Sequence, residues 1–338
     1  MTINVLVVDD SAFMRKIIAD QIKFLNGIEV CGIARSGDDA LRVIPKYKPD
    51  VITLDIEMPG LNGLDTLKLI KKEFGIPVIM LSSHAGEDIT IEALELGAMD
   101  FIEKPQNLVK IETDFADELG RKLNSIAESV STPVSQKNQV KTTRQFPNRI
   151  KGIVIGASTG GPRALMNLIR QIPAELKIPI FVVQHMPAGF TQSFAKRLDQ
   201  EAAVKVVEAA DGMIITGGTV YLAPGDFHLR LIGNQIRLSR EEKIHGVRPA
   251  VDYLFESAAQ IYRQELVGII LTGMGNDGTD GMADIKETGG YTIAQDQASS
   301  VVFGMPRRAI EANVVNEVAS LNEIGERLNW MIKVKQWT

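Results

Sequence analysis

The sequence has a single cysteine among its 338 residues, no apolar run long enough to cross a bilayer, and no large excess of either charge. One cysteine cannot form an intrachain disulfide, which agrees with a reducing compartment, and we expect Cys31 to pack in a core. A membrane-spanning helix needs about 18 consecutive apolar residues, so we expect no membrane insertion. The first residues, MTINVLVVDDSAF, include two acids and no basic leader, which does not fit a signal peptide. These absences predict a cytoplasmic protein.

The charge balance also excludes a class of partner. Lys and Arg number 37 against 42 Asp and Glu, giving a net charge of −5, so there is no electrostatic reason to bind nucleic acid. The 45% hydrophobic and 23% charged residues are typical of a globular protein with a sizeable core. At about 150 residues per domain, the length predicts roughly two domains.

The pattern along the chain predicts two α/β domains. Residues 3–105 alternate short apolar strands with amphipathic helices in five βα units. A last helix is predicted from the regularly spaced apolar residues Leu108, Ile111, Phe115, Leu119, Leu123 and Ile126. We therefore place the first domain at 1–127. Residues 128–148 lack an apolar period and are rich in Ser, Thr, Gln, Pro and Lys, as in flexible linkers.

The second domain, 149–338, begins with the strand RIKGIVIG and again alternates strands and helices. Its middle is richer in β-structure, with VKVVEA, VYLAP, FHLRL and QIRLS separated by turns that contain glycine. The helix LNEIGERLNWMIKV near the end is expected to pack on its own domain.

Polar side chains collect at the predicted strand ends of the first domain. Asp9 and Asp10 follow the first strand, and Asp55 ends the strand VITLD. Parallel strands bring such residues to one sheet edge, where open α/β sheets bind ligands, and an all-oxygen set suits Mg²⁺. Ser82 and Lys104 end two further strands, where a hydroxyl and an ammonium group can bind phosphoryl oxygens. A single strand-end Asp is often only a turn former, but five matching positions favour a site.

The segments VVDDS, LDIEMPGLNG, MLSS and FIEKP, in this order and spacing, resemble the receiver domain of bacterial response regulators. The resemblance implies a flavodoxin-like, five-stranded (βα)5 fold, with Asp55 as the phosphoacceptor. It also implies a cis peptide bond before Pro105. The residues that it places around Mg²⁺ and the phosphoryl group are Asp9, Asp10, Asp55, the backbone carbonyl of Glu57, Ser82 and Lys104.

The glycine-rich segment GASTGG follows the first strand of the second domain and has two interpretations. Its glycines can cradle a phosphate, although they lack the dinucleotide spacing G-x-G-x-x-G. They also satisfy G-x-S-x-G, which places Ser158 on a sharp turn with an exposed hydroxyl. A serine nucleophile needs a base, and the sequence has four histidines, His84, His185, His228 and His245.

Of these histidines, His185 ends the very next strand, PIFVVQH, and so can reach the same sheet edge as Ser158. The other three lie in the first domain or in the β-rich middle, with less reason to approach. An acid should orient the base, and the segment TGMGNDGTDG offers Asp277 and Asp280, of which Asp277 is nearer to its strand. The same segment is also compatible with a simple turn or anion-binding nest.

Six segments of the second domain, GASTGG, QHMPAGFT, APGD, RPAVDYLF, LTGMGNDG and TIAQDQASSVVFGMP, resemble the catalytic domain of chemotaxis protein-glutamate methylesterases. The resemblance runs from about residue 150 to the end, and a receiver in front is the arrangement of that family. It implies a Rossmann-like parallel-sheet α/β domain with a β-hairpin-rich insertion. It also implies that Ser158 is the nucleophile, His185 the general base and Asp277 the residue that orients it. The Met274 backbone N–H and Thr159 lie near the oxyanion, and no cofactor is implied for the esterase site.

The family resemblance implies a phosphorylation-activated serine hydrolase of bacterial chemotaxis. Its substrates would be glutamate γ-methyl esters on methyl-accepting chemotaxis receptors, giving glutamate and methanol, with deamidation of receptor glutamines as a second activity. A chemotaxis histidine kinase would be the phosphodonor, and phosphorylation of Asp55 would relieve inhibition by the receiver. Two alternatives stay open: a non-enzymatic regulator that binds a partner through the glycine loop, and a small-molecule serine esterase under phosphorylation control.

Overall fold

The computed structural model describes residues 2–83, 86–105, 115–131 and 146–335. Contacts within the chain divide it into two compact units, Met1–Pro133 and Val134–Thr338. The predicted linker, 128–148, and the candidate base His84 lie largely or entirely outside the described residues, so the domain boundaries stay a prediction. Among the helices of these described ranges, none combines the length and apolar character needed to span a bilayer.

The first unit is a five-stranded parallel sheet with helices between its strands. The strands are β1 (Ile3–Val8), β2 (Ile28–Ala34), β3 (Val51–Asp55), β4 (Val78–Ser82) and β5 (Asp100–Glu103). The helices are α1 (Ala12–Ile22), α2 (Gly37–Tyr47), α3 (Gly63–Glu73), α4 (Glu87–Glu95) and α5 (Ala116–Ser131). The strand order is β2-β1-β3-β4-β5, with every neighbouring pair parallel. This confirms the predicted receiver-like fold.

Local sequence signals explain these elements. The strands β3 and β4 are buried along their whole length, as expected for parallel strands covered on both faces. Helices α1, α2 and α3 begin after Ser11, Ser36 and Asn62, whose side chains accept hydrogen bonds from backbone N–H groups of the first turn. Helix α5 and the residue just before it bury four of the six predicted apolar residues, Phe115, Leu119, Leu123 and Ile126, in one cluster with residues of β1 and α1. The other two, Leu108 and Ile111, lie outside the described residues.

The second unit contains a seven-stranded, fully parallel sheet and a separate hairpin. Its strands are β6 (Gly152–Ala157), β7 (Ile180–Gln184), β8 (Lys205–Glu208), β9 (Thr219–Leu222), β10 (His228–Ile232), β11 (Gln235–Ser239), β12 (Leu266–Ile270), β13 (Tyr291–Gln295) and β14 (Glu317–Ala319). Its helices are α6 (Gly161–Arg170), α7 (Phe190–Glu201), α8 (Val251–Tyr262), α9 (Thr279–Glu287), α10 (Met305–Glu311) and α11 (Leu321–Val334), with a 3-10 turn at Arg263–Glu265. The sheet order is β14-β13-β12-β6-β7-β9-β8.

The structure refines the predicted β-rich insertion. Strands β8 and β9 belong to the main parallel sheet, where Val206 pairs with Val220, and only β10 and β11 form an antiparallel hairpin. The connection 209–218 contains no helix, yet it returns the chain to the same sheet edge and buries Ile215. Parallel strands are usually joined through a helix. Because this connection has none, the sequence pattern predicts an antiparallel hairpin for the pair.

The chain direction reverses at the centre of the second sheet. From β6 the chain passes outward through β7 on one side, and later through β12, β13 and β14 on the other. Such a switch point opens a crevice at the carboxyl ends of the adjacent strands, where ligands bind in open α/β sheets. Ser158 follows β6, His185 follows β7 and Thr272 lies just beyond β12. The topology therefore gathers these residues at one edge.

Two smaller features differ from or extend the sequence prediction. Among the described residues the cis peptide bond precedes Pro249 and not Pro105. Cys31 is half-buried on β2, with its Sγ 3.4 Å from the backbone oxygen of Val5, so it packs less deeply than expected. Helix α11 begins with a capping box between Ser320 and Glu323 and buries one face on its own unit, as predicted.

Candidate functional site

The acidic residues of the first unit form one cluster at the carboxyl edge of its sheet. Carboxylate oxygens of Asp9, Asp10 and Asp55 all lie within 4.8 Å of one another. Asp9 and Asp55 are buried, whereas Asp10 is exposed. Lys104 Nζ lies 2.7 Å from Asp55 Oδ1 and 3.0 Å from Asp9 Oδ2. Asp55 Oδ2 is buried and makes no hydrogen bond within the described part of the chain.

Burial dominates the acidity of this cluster. It raises the pKa of Asp55 to about 6, against the opposing hydrogen bond and charge of Lys104, and the charge of Asp9 raises it further. Burial alone would lower the pKa of Lys104, but its contacts with Asp55 and Asp9 raise it overall. The lysine therefore stays charged beside the two carboxyl groups, and it partly neutralises them.

The other two predicted receiver residues border the same cluster. Ser82 is buried at the end of β4, with its Oγ 2.5 Å from Thr90 Oγ1. The backbone N–H of Glu57 donates to Asp55 Oδ1 over 3.2 Å. All of the sequence-predicted residues of this unit thus lie at one sheet edge, and Thr90 is a neighbour that the sequence analysis did not single out.

Glycine allows the sharp turn that carries Ser158. Gly160 has φ +77°, and a Cβ on it would lie 2.5 Å from Val301 Cβ. A Cβ on Gly161 would lie 2.0 Å from the side-chain oxygen of Gln184. Gly161 also donates its N–H to the Ser158 carbonyl over 2.7 Å, which closes the turn just before α6. Ser158 itself is partly exposed, as a reactive hydroxyl requires.

His185 and Asp277 form the central contact of this site. The pairing of Ala157 with Gln184 between β6 and β7 brings Ser158 and His185 to the same edge. His185 Nε2 lies 2.6 Å from Asp277 Oδ2. Asp280, the alternative acid, is exposed in the first turn of α9. Among the described residues no hydrogen bond joins Ser158 Oγ to His185, and such bonds are often long before substrate binds.

Asp277 also caps a helix. It is buried, and it accepts hydrogen bonds from the backbone N–H groups of Val251, at 2.7 Å, and Asp252, at 3.0 Å, in the first turn of α8. Burial alone would raise the pKa of Asp277, but the hydrogen bond and charge of His185, with those two N–H groups, lower it overall. Asp277 is therefore ionised near neutral pH, although it has almost no contact with solvent.

The backbone N–H groups of Thr159 and Met274 are among the donors of this loop region that make no hydrogen bond within the described ranges. The carbonyl of Thr159 accepts a hydrogen bond from Thr272 Oγ1 at 2.9 Å, and Thr272 N–H donates to Gln295 Oε1 at 2.7 Å. These contacts fix the turn while leaving both N–H groups available to a ligand.

Sequence analysis missed several residues that support this turn. Gln184 Nε2 donates to the carbonyl oxygens of Ser158, at 3.0 Å, and His185, at 3.1 Å. A Cβ on Gly273 would lie 2.8 Å from Ser158 Cβ, so only glycine permits this approach. The sequence signal was present, because Gln184 directly precedes His185 and Gly273 lies within TGMGNDG.

Two further histidines lie around the start of α8. His245 Nε2 lies 3.6 Å from Asp252 Oδ2, and a carboxylate oxygen of Asp252 lies within 4.8 Å of one of Asp277. His228 is buried, its Nδ1 accepts from Ala250 N–H at 3.1 Å, and burial lowers its pKa. Within the described ranges neither histidine makes a hydrogen bond with Ser158.

The two units define the protein class: a receiver-type acidic cluster and a hydrolase-type set of serine, histidine and aspartate occur in one chain. The family model described as response regulator receiver domain matches residues 5–115, and the model described as CheB methylesterase matches residues 153–328. The chain belongs to the CheB methylesterase family.

Its relatives match almost the full length. A protein-glutamate methylesterase/protein-glutamine glutaminase of Pyrococcus horikoshii is 45% identical, over 96% of this chain and 92% of the relative. A protein of the same name from Clostridium acetobutylicum is 43% identical, over 96% of each chain. The crystal structure of the Thermotoga maritima CheB methylesterase catalytic domain is 46% identical, with a TM-score of 0.52, and covers 54% of this chain and 98% of that domain.

The pKa of Asp55 predicts how stability varies with pH. Because this pKa rises from an ordinary value of 3.8 to about 6, the folded state holds the proton more tightly than the unfolded state. The free energy of unfolding should therefore fall by about 3 kcal/mol as the pH rises between these values. Asp55→Asn should abolish this fall. Hydrogen exchange of the β3 amides across this pH range measures it, and a fall that persists in Asp55→Asn contradicts the prediction. The exposed Asp38→Asn is the control and should keep the dependence.

Gly273→Ala tests the close approach to Ser158. The new methyl group would overlap Ser158 and the Met305 sulfur, so we expect the turn to shift. A displacement near 1 Å typically costs about 100-fold in rate, which we expect in the labelling of Ser158 by a fluorophosphonate. Gly233→Ala in the β10–β11 turn is the control and should label normally, because a Cβ there meets nothing within 4 Å and only the local φ of +58° disfavours alanine. Equal labelling rates for the two variants would contradict the prediction.

Proposed function

We propose that the chain hydrolyses γ-methyl esters of glutamate residues on methyl-accepting chemotaxis receptors, and that phosphorylation of its receiver domain activates the reaction. The observation that carries the proposal is the partly buried His185–Asp277 pair at the sheet edge where Ser158 follows β6. The full-length relatives named protein-glutamate methylesterase/protein-glutamine glutaminase support the choice of substrate.

The ionised Asp277 fixes the tautomer of His185. It accepts a hydrogen bond from Nε2–H, so Nδ1 is the ring nitrogen with a free lone pair. Nδ1 then takes the proton of Ser158 as Oγ attacks the ester carbonyl. Asp277 stabilises the imidazolium that forms, and the tetrahedral intermediate collapses when His185 returns the proton to the leaving methoxide. Methanol departs and an acyl-enzyme on Ser158 remains.

The negative charge on the carbonyl oxygen needs donors that are already in place. The N–H groups of Met274 and Thr159, which have no acceptor among the described residues, supply them. Their turns are held by Gln295 and Thr272, so little reorganisation accompanies the reaction. Loss of one such donor typically costs about 100- to 1000-fold in turnover.

A water molecule completes the cycle. His185 removes its proton, the resulting hydroxide attacks the acyl-enzyme, and glutamate is released as Ser158 Oγ regains the proton. The same steps on a glutamine side chain release ammonia instead of methanol, so we propose deamidation of receptor glutamines as a second activity. The relatives' double name favours this pairing. No cofactor is needed at this site.

The acidic cluster fits a magnesium ion. Its three carboxylates converge within 4.8 Å, and the buried Asp55 Oδ2 makes no hydrogen bond among the described residues. All-oxygen ligands with positions open to water are what Mg²⁺ prefers. We propose that Asp9, Asp10, Asp55 and the Glu57 backbone carbonyl hold it, and that it neutralises phosphoryl charge. Asp55 accepts the phosphoryl group, whose oxygens Ser82 and Lys104 then contact.

The proposed function also involves two partner proteins and a cellular location. A chemotaxis histidine kinase is the phosphodonor, since a receiver domain accepts its phosphoryl group from such an enzyme. The catalytic substrate is the receptor, whose methylated segment must reach Ser158. We also propose that the chain works in the cytoplasm, the reducing compartment with which its single cysteine agrees. Phosphorylation of Asp55 relieves inhibition by the receiver.

Methanol release from methylated receptor membranes tests the hydrolysis. Ser158→Ala should lower it by about four to six orders of magnitude, because the nucleophile is lost while the fold is kept. A loss below tenfold would contradict the assignment of Ser158. Ser193→Ala, on α7, is a matched control and should retain full activity.

The same assay separates the two other functions considered. A small-molecule esterase would hydrolyse simple esters and label at Ser158 but release no receptor methanol. A non-enzymatic regulator would do neither. Either result would reject the proposed substrate, and the second would also reject the hydrolytic mechanism.

Acetyl phosphate with Mg²⁺ tests the activation. It should raise methanol release by the wild-type protein and have no effect on Asp55→Asn, which cannot be phosphorylated. Chelation of Mg²⁺ should remove the stimulation but leave the basal rate, because the metal belongs to the receiver only. Stimulation that survives in Asp55→Asn would contradict the role of Asp55, and loss of the basal rate on chelation would contradict a metal-free esterase site.

A further inference from the structure

A second buried carboxyl group lies behind the proposed catalytic pair. Asp252, in the first turn of α8, is almost fully buried, and one of its carboxylate oxygens lies within 4.8 Å of a carboxylate oxygen of Asp277. Asp252 Oδ1 accepts the N–H of Gly281 in α9 at 2.8 Å. The proposed hydrolytic steps do not use Asp252. Burial of a charged carboxyl group costs free energy unless hydrogen bonds or opposite charges compensate it.

Counting the hydrogen bonds of Asp277 shows what Asp252 supplies. A carboxylate has about four acceptor positions. Three are filled by His185 Nε2, Val251 N–H and Asp252 N–H. One position on Oδ1 remains, and a carboxylate oxygen of Asp252 lies within 4.8 Å of one of Asp277. Two carboxyl groups this close can share a hydrogen bond only if one of them carries a proton. This saturation also argues against a metal ion between Asp277 and Asp252.

The surroundings decide which acid holds the proton. Asp277 has His185 and two backbone N–H groups that favour its ionised form. Asp252 has burial and the neighbouring charge of Asp277, which raise its pKa to about 7, against the N–H groups of Gly281 and Gly278. The proton therefore resides on Asp252. The other titratable groups around the start of α8 are His245, 3.6 Å from Asp252, and the buried His228.

We infer that Asp252 is a positioning residue of the hydrolytic site: as the neutral acid it donates a hydrogen bond to Asp277 and so holds that carboxylate in line with His185. The inference rests on the proposed function, since it needs Asp277 to orient a working base. It predicts that the site weakens when Asp252 ionises, because two adjacent carboxylates repel each other and the fourth hydrogen bond is lost.

The variants Asp252→Asn and Asp252→Ala test whether residue 252 acts by donating a hydrogen bond to Asp277 or only by filling space. Asparagine keeps an oxygen for Gly281 N–H and offers an N–H to Asp277 at every pH, so this variant should work at close to the wild-type rate. Alanine provides neither, and the rate should fall by about 10- to 100-fold. In the wild type, kcat/KM should decline as the pH rises through about 7. Asp252→Asn should lack this alkaline decline, which a merely structural role would not change.

The measurement is the pH profile of two rates on the full chain: methanol release from methylated receptors and fluorophosphonate labelling of Ser158. Ser158→Ala is the blank for both rates. Asp284→Asn, a half-buried acid on α9 whose pKa is also raised by burial, is the matched control and should keep the wild-type profile. Thermal unfolding of each variant shows whether it has folded. If the alanine variant does not fold, the pH profile of Asp252→Asn alone tests the inference.

The outcomes distinguish the inference from the function on which it rests. Wild-type labelling without methanol release would reject the receptor substrate, while the labelling profile would still test Asp252. An alkaline decline that persists unchanged in Asp252→Asn, or an asparagine variant as slow as the alanine variant, would overturn the inference. Loss of the decline in both rates, with restored activity in Asp252→Asn alone, would support it.

Discussion

The second unit depends on one buried carboxylate. Asp277 lies 92 residues from His185 and 26 from Val251, yet it accepts hydrogen bonds from both. Asp277 lies in the loop that follows β12, and its hydrogen bonds connect this loop to the end of β7 and to the start of α8. An anion at a helix N-terminus is favourable, because the first N–H groups have no partner within the helix. The same carboxylate that accepts the first N–H groups of α8 therefore also contacts His185.

The two units place buried acids at equivalent sheet edges and obtain opposite properties. Asp55 keeps one oxygen without a hydrogen bond within the described residues, and burial raises its pKa to about 6. Asp277 has its oxygens occupied, and its pKa is lowered. In the function we propose, the acid that forms a bond to phosphorus needs an oxygen that no donor occupies, whereas the acid that orients a base must not move. The different number of donors around each carboxylate suits these two proposed roles.

Much of the site was predictable, because strand ends are visible in sequence. An apolar run followed by Asp9, Ser158 or His185 reports both the strand and the edge where the side chain lies. The roles of Gln184 and Asp252 were not predictable, since their contacts join loops whose approach is set by strand register and by the packing of α8. The parallel pairing of β8 and β9 was missed for a related reason, because its connection lacks the usual helix. Helical periodicity also assigned Leu108 and Ile111 to the last helix of the first domain. Both residues lie outside the described residues, so this assignment stays a prediction.

Three glycine-containing segments that are distant in sequence form a single packing unit around Ser158. A Cβ on Gly160 would overlap Val301, one on Gly273 would overlap Ser158, and one on Gly304 would lie 2.6 Å from the Gly273 carbonyl oxygen. The backbones of GASTGG, TGMGNDG and SSVVFGMP can converge only because these side chains are absent. Their hydrogen bonds agree, since Gly304 N–H donates to Gly273 O and Gly273 N–H to Val302 O, both at 3.0 Å. A change in one segment must therefore be accommodated by the others, which explains physically why the three motifs together identify the family more specifically than G-x-S-x-G does alone.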